Sequence, residues 1–231
     1  MIWHHLSPFW QGCIEEAWIA YCMGSLPIGS VITDAHGRIL ARGRNRIYEQ
    51  VAEGKQLCGH RLAHAEINTL IQVEWSAVDA RTCILYTTTE PCPLCVGAIR
   101  MTRVGEVHYA SRDGAAGSAD LFEANPFLQR GSVKVVGPEH ADLEAILVAM
   151  MIEFALTQAD ENTPSWCERL ATMVPMGAQL GRRLFASKQL RQWKGSGKPV
   201  ALVLDQLAPR VAQRDALLAR GRRGRGALCS G

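Results

Sequence analysis

The sequence predicts an α/β fold in which a single sheet is covered by helices on both faces. Three features predict it: a helix-periodic segment near the start, a short hairpin after it, and strands that then alternate with helices. Pro8 to Met23 places Phe9, Cys13, Ala17, Ile19 and Ala20 at helical spacing, with Ser7 suited to the N-cap. Gly29 to Thr33 and Arg38 to Ala41 are short apolar runs joined by Asp34-Ala35-His36-Gly37, the pattern of a hairpin. Residues 43–63 are polar and glycine-containing, hence loop, and His64 to Val73 reads as helix.

Thr82 to Thr88 is rich in β-branched and aromatic residues and predicts a buried strand, followed by a helix from Pro91, a residue suited to a first helical turn. Further strands are expected at Val104 to Ala110 and Ser132 to Val136, and a helix at Ala141 to Leu156. Asp160-Glu161-Asn162-Thr163-Pro164 marks a boundary. The expected division is a first domain over residues 1–158 and a mainly helical extension over 159–231. The extension carries helical segments at Cys167 to Met173, Gln179 to Gln192 and Val200 to Leu218, and a basic tail at Arg220 to Arg225 that is expected to be disordered.

Composition bounds the function. With 48% hydrophobic and 20% charged residues the chain is ordinary for a globular protein with a core. No basic region followed by an apolar stretch opens it, and the longest apolar run, Ala145 to Ile152, falls far short of the roughly 20 residues of a membrane helix. A cytoplasmic protein is expected. Eight cysteines in a reducing compartment point to metal binding or catalysis before disulfides. The net charge of +3 hides an asymmetry: Arg169 to Gly231 holds thirteen Lys/Arg against two Asp, which leaves residues 1–168 at −8. An acidic body with a basic arm either docks on itself or reaches for a polyanion.

The chemistry concentrates in four residues. Cys92 and Cys95, three apart on a first helical turn, present two sulfurs on one face. A helix N-terminus favours negative charge and so favours thiolate. His64 supplies an imidazole from the start of another helix, which completes a zinc-type donor set. Three protein ligands leave the fourth tetrahedral position to a water or hydroxide, so one Zn2+ per chain is the expected cofactor. Glu66, two residues beyond His64, is placed to move protons as the catalytic residue.

His64-Ala65-Glu66 together with Pro91-Cys92-Pro93-Leu94-Cys95 resembles the cytidine deaminase superfamily, whose zinc-site signature is of this form. Leu26-Pro27-Ile28-Gly29-Ser30, Arg44-Asn45-Arg46, Thr89-Glu90-Pro91-Cys92 and Arg112 to Ser118 look like the branch that holds tRNA adenosine deaminases and guanine deaminases. The resemblance covers about residues 8–155. It implies a three-layer α/β/α sandwich around a five-stranded mixed sheet, in a homodimer. It also implies a hydrolytic deaminase that replaces a ring amino group with oxygen, with Asn45 bonding the base and the backbone at Ala65 reading its edge.

Alternatives stay open at this point. Cys58 would turn the set into a closed structural zinc site, or the fold could be a degenerate binding module. Asn45 either contacts substrate or bonds its own loop, and His60 either lines the pocket or is a solvated loop histidine. Trp75 and Trp193 read as packing or dimer-contact residues, and Trp166 as packing or as part of a pocket mouth.

Two substrate classes compete, a free base or nucleoside and adenosine in tRNA. Gly59-His60-Arg61-Leu62-Ala63 departs from the Asp-Pro-Thr-Ala expected in tRNA enzymes, and Glu153 to Glu161 has no positive charge. Both departures favour the small molecule, because phosphate neutralisation supplies most non-specific RNA affinity.

Overall fold

The computed structural model describes residues 1–52, 54–159 and 165–211. Five strands form one mixed sheet in the order β2-β1-β3-β4-β5. They are β1 (Gly29–Thr33), β2 (Ile39–Arg44), β3 (Ile84–Thr87), β4 (Glu106–Tyr109) and β5 (Lys134–Val136). β1 runs antiparallel to both β2 and β3, and β3, β4 and β5 are parallel. The hairpin therefore stands at one edge, and the parallel strands need the helical crossovers that the alternating pattern predicts.

Helix α1 (Pro8–Cys22) opens the fold, with the Ser7 hydroxyl accepting from the Trp10 N–H as an N-cap. α2 (Ala65–Leu70) and α3 (Pro93–Thr102) follow β2 and β3, a four-residue helix α4 (Pro126–Gln129) precedes β5, and α5 (Ala141–Gln158) follows it. Strand alternation divides the core. Val31 and Tyr86 join α1 and α5 on one face, while Ile32, Leu85 and Val107 join Leu70 of α2 and Val96 and Ile99 of α3 on the other. The result is a three-layer α/β/α sandwich. Gly29 permits the α1 backbone to lie directly over β1, since a Cβ there would collide with the Cys13 carbonyl and the Ala17 N–H.

The C-terminal segment is helical: α6 (Ser165–Met173), α7 (Pro175–Ser187), α8 (Gln189–Gly195) and a helix over residues 200–211. Their buried residues, among them Leu170, Leu184, Trp193 and Leu204, belong to the same apolar cluster as α1 and α5. Gly177 and Gly181 let α7 approach closely. A Cβ on either would stand 2.7 Å from a carbonyl oxygen of α5, that of Ala145 or Ala149.

At Arg191 the C-terminal segment meets the acidic body. Arg191 Nε of α8 lies 3.4 Å from Oε1 of the fully buried Glu153 on α5, and Tyr21 Oη donates to Glu153 Oε2 at 2.7 Å. Trp193 is buried in this cluster, and Trp75 packs against the opposite one.

Three local expectations differ from the structure. β2 continues to Arg44, past the expected end at Ala41, because Gly43 lets α2 sit against the strand; a Cβ there would be 2.6 Å from the Thr69 nitrogen. The helix expected from Gln179 starts at Pro175, which occupies the first turn that proline tolerates. It also divides into α7 and α8 at Lys188, which adopts φ 56°. The boundary at Asp160 to Pro164 and the tail at Arg220 to Arg225 lie outside the described residues, as does the last part of the expected Val200 to Leu218 helix. No helix among the described residues is long and apolar enough to cross a membrane.

Candidate active site

The parallel strand β3 ends at Thr87, and the chain passes through Thr88, Thr89, Glu90 and Pro91 into α3. Cys92 is the N-cap of α3, Pro93 its first residue, and Cys95 lies in the first turn. His64 is the N-cap of α2, and Glu66 lies in that helix's first turn. Two helix N-termini thus point their unpaired N–H groups and positive dipole ends at one place, an arrangement that favours sulfur and carboxylate anions.

The donor atoms converge. His64 Nδ1 is 3.5 Å from Cys92 Sγ and 3.5 Å from Cys95 Sγ, and the two sulfurs are 3.6 Å apart. Tetrahedral zinc with ordinary bond lengths sets such edges at about 3.6 Å for nitrogen to sulfur and about 3.8 Å for sulfur to sulfur. The three residues present therefore fit a zinc ion without rearrangement. Among the described residues this is the group of His, Cys and acidic side chains placed to hold a metal. Cys58 is half-buried and is not one of its members, so the set stays at three.

Glu66 stands beside the cluster without joining it as a fourth donor. It is buried, with Oε1 accepting from Thr87 Oγ1 at 3.1 Å and Oε2 from Cys95 Sγ at 3.3 Å. Burial raises its pKa above the usual carboxylate value, with the Cys92 charge adding to the rise. Hydrogen bonding between the two cysteines pushes the Cys92 thiol down to about 4, against burial and with His64 helping. The same bond, together with burial, raises Cys95. The His64 imidazole is raised by its bond to Cys92. The lowered thiol pKa of Cys92 favours the thiolate, the form that binds a divalent cation.

A cavity of about 400 Å³ opens onto this cluster. His64, Glu66 and Cys92 form its floor, and Leu26, Ile28, Asn45, Tyr48, Glu90 and Asp113 are among its walls. Asn45 is buried at the end of β2, and its Oδ1 accepts from Ser25 Oγ at 3.0 Å and from the Ile47 N–H at 3.2 Å. Asn45 therefore holds its own loop and also lines the cavity. Ala65 is fully buried as the first residue of α2. Its side chain does not line the cavity, and its N–H is one of those left without an intrahelical acceptor.

His60 is exposed and lies outside the cavity lining, its Nδ1 accepting from the Leu62 N–H at 3.1 Å. A short local turn accounts for it, so it is not carried forward as a substrate contact.

Several wall residues are not evident from the sequence. Met151, Phe154, Ala155 and Gln158 come from the end of α5, and Ala159 lies just beyond it. Trp166 of α6, for which a pocket-mouth place is one of two readings, also lines the cavity. Asp113, Ala115 and Ala116 come from the Arg112 to Ser118 stretch, for which the sequence predicts no pocket role. Thr87, which orients Glu66, was hidden within a strand-forming run.

Residues 4–111, which contain all three donors and Glu66, match the family model described as the cytidine and deoxycytidylate deaminase zinc-binding region. The chain belongs to this deaminase family. It is 32% identical over 114 residues to the tRNA-specific adenosine deaminase of Bacillus subtilis, covering 47% of this chain and 63% of the relative. It is 35% identical over 119 residues to the tRNA(Ile)-lysidine synthase of Deinococcus radiodurans, covering 46% of this chain and 19% of the relative. The solved structure of guanine deaminase from Bacillus subtilis shares 30% identity, with 51% of this chain and 68% of that chain covered and a TM-score of 0.39. The chain thus spans less than two thirds of the length of either of these first two relatives.

Proposed function

We propose that this chain is a zinc-dependent aminohydrolase that replaces the ring amino group of a nucleobase or nucleoside with oxygen and releases ammonia. The observation that carries this reading is the pairing of an open three-donor cluster with a buried, neighbouring carboxylate on the floor of one cavity. A closed structural site would need a fourth protein donor.

His64, Cys92 and Cys95 would hold the zinc, which when bound supplies a Lewis acid that makes an attacking water acidic near neutral pH. Glu66 accepts the proton of that water and delivers protons to the ring nitrogen and to the departing amine. The water oxygen bonds to the ring carbon, the carbon–nitrogen bond breaks, and ammonia leaves. Thr87 fixes one carboxylate oxygen, Oε1, while the other, Oε2, lies 3.3 Å from Cys95 Sγ at the edge of the donor cluster. Asn45, with its oxygen engaged by Ser25 and Ile47, turns its amide N–H pair to the ring.

The cavity favours a small, uncharged ring. Glu90 and Asp113 line it, and among its described lining residues there is no Lys or Arg to receive a phosphate. We include a homodimer and a cytoplasmic setting in this proposal.

Adenosine in tRNA is the second reading, favoured by the likeness to the tRNA-specific adenosine deaminase. Ammonia release from a panel of bases, nucleosides, their 5′-monophosphates and tRNA decides between them. Turnover of bases or nucleosides with little dependence on salt supports the first. Turnover of tRNA alone, falling steeply as salt rises, would replace it with the second.

A further inference from the structure

Resting on the proposed deaminase reading, we infer that Trp166, supplied by the helical extension beyond the family-matched region, is a specificity-determining wall of the cavity that packs against the flat face of the substrate ring. The matched region ends at residue 111, yet Trp166 of α6 lines the same cavity as His64, Glu66 and Cys92.

Packing alone does not account for this tryptophan. Cys167 and Leu170 supply the buried face of α6, whereas Trp166 is half-buried, packing against that apolar cluster without being enclosed by it. It also lines the cavity, together with the buried ring of Phe154. A large, rigid aromatic that meets both an apolar cluster and an open cavity is suited to stack on a heteroaromatic ring.

α6 is held in place against the cavity rather than left free. Arg169 Nε donates to the Gly114 carbonyl, and Arg112 Nη2 donates to the Met173 carbonyl at 3.4 Å. Arg112 is itself paired to the buried Glu144 of α5, with Nε 2.7 Å from Oε1. A Cβ on Gly114 would stand 2.8 Å from the Leu170 nitrogen, so only glycine allows α6 this close. The loop from Arg112 to Ser118, which contributes Asp113, Ala115 and Ala116 to the cavity, is therefore locked to the helix that contributes Trp166.

The test is steady-state kinetics of wild type, Trp166→Phe and Trp166→Ala on adenine, guanine, cytosine, their nucleosides and tRNA, with melting temperature and zinc content measured in parallel. On whichever base or nucleoside the wild type turns over, Trp166→Ala should raise KM by about tenfold with kcat within about threefold, and Trp166→Phe should restore KM. An unchanged KM in Trp166→Ala overturns the inference. So does a loss of kcat that accompanies a lowered melting temperature and is not rescued by Phe, because this outcome marks a purely structural residue. A wild type active on none of the bases or nucleosides overturns the function reading, a result separate from either outcome of the Trp166 series.

Discussion

Thr87 Oγ1 donates a 3.1 Å hydrogen bond to Glu66 Oε1, tying the end of the central parallel strand to the carboxylate beside the donor cluster. Both groups are buried, so the bond fixes the side chain that must aim at water and ring together. Thr87→Val keeps the shape and removes the donor. We expect kcat to fall about tenfold with zinc retained, and a stability loss of about 1 kcal/mol. Rate measurements and thermal melts check both.

Glu66→Gln should fold, bind zinc and lose turnover by a factor of about 10²–10⁴, the usual contribution of a positioned proton carrier. Metal analysis beside single-turnover ammonia release checks this. A variant with nearly normal rates would remove Glu66 from the proposed role.

Gly181→Ala tests the seating of the extension. The added Cβ would lie 2.7 Å from the Ala149 carbonyl and 2.8 Å from Ile152 Cβ, so α7 must move off α5. We expect destabilisation of about 1–3 kcal/mol, read as a lowered denaturation midpoint. Because the extension shares its apolar cluster with α1 and α5, deleting it would expose that core; single substitutions are the cleaner probe.

Acid stability should depend on Glu106. Burial works to raise this carboxyl, but hydrogen bonds from Lys134 and His108 outweigh it and hold the pKa below the ordinary carboxylate value. A depressed folded-state pKa gives stability that is present above the unfolded value and lost as pH falls through the folded one. Relative to wild type, Glu106→Gln should therefore be less stable near neutrality, and the difference should shrink as the medium becomes acidic. Melting curves between about pH 3 and 7 test the sign.

The donor set and Glu66 were legible in the sequence because chemistry restricts them: sulfur, imidazole and carboxylate at these spacings have few other uses. The sheet was legible because strand-period and helix-period runs alternate, with Ser7 and Pro91 marking helix starts. Most of the cavity walls were not, Asn45 and Trp166 excepted: Tyr48, Asp113 and Phe154 lie on separate segments, and only tertiary packing brings them together. α5 is apolar around most of its circumference because it packs against α7 and shares one apolar cluster with α1 and the sheet residues Val31 and Tyr86, so periodicity could not say which residues face the cavity. Gly177 and Pro175 fall between two expected helices, whereas the fold uses one for close approach and the other for a first turn. His60 shows the converse: nearness to His64 in sequence suggested a pocket residue, but a local turn keeps it outside.

The account depends most on an open metal centre served by a separate acid side chain. Zinc content and ammonia release measured together in wild type, Cys58→Ser, Cys92→Ser and Glu66→Gln test it directly. The expected result is one zinc per chain in wild type, Cys58→Ser and Glu66→Gln and none in Cys92→Ser, with ammonia released only by wild type and Cys58→Ser. Loss of zinc from Cys58→Ser, or undiminished ammonia release by Glu66→Gln, would contradict it.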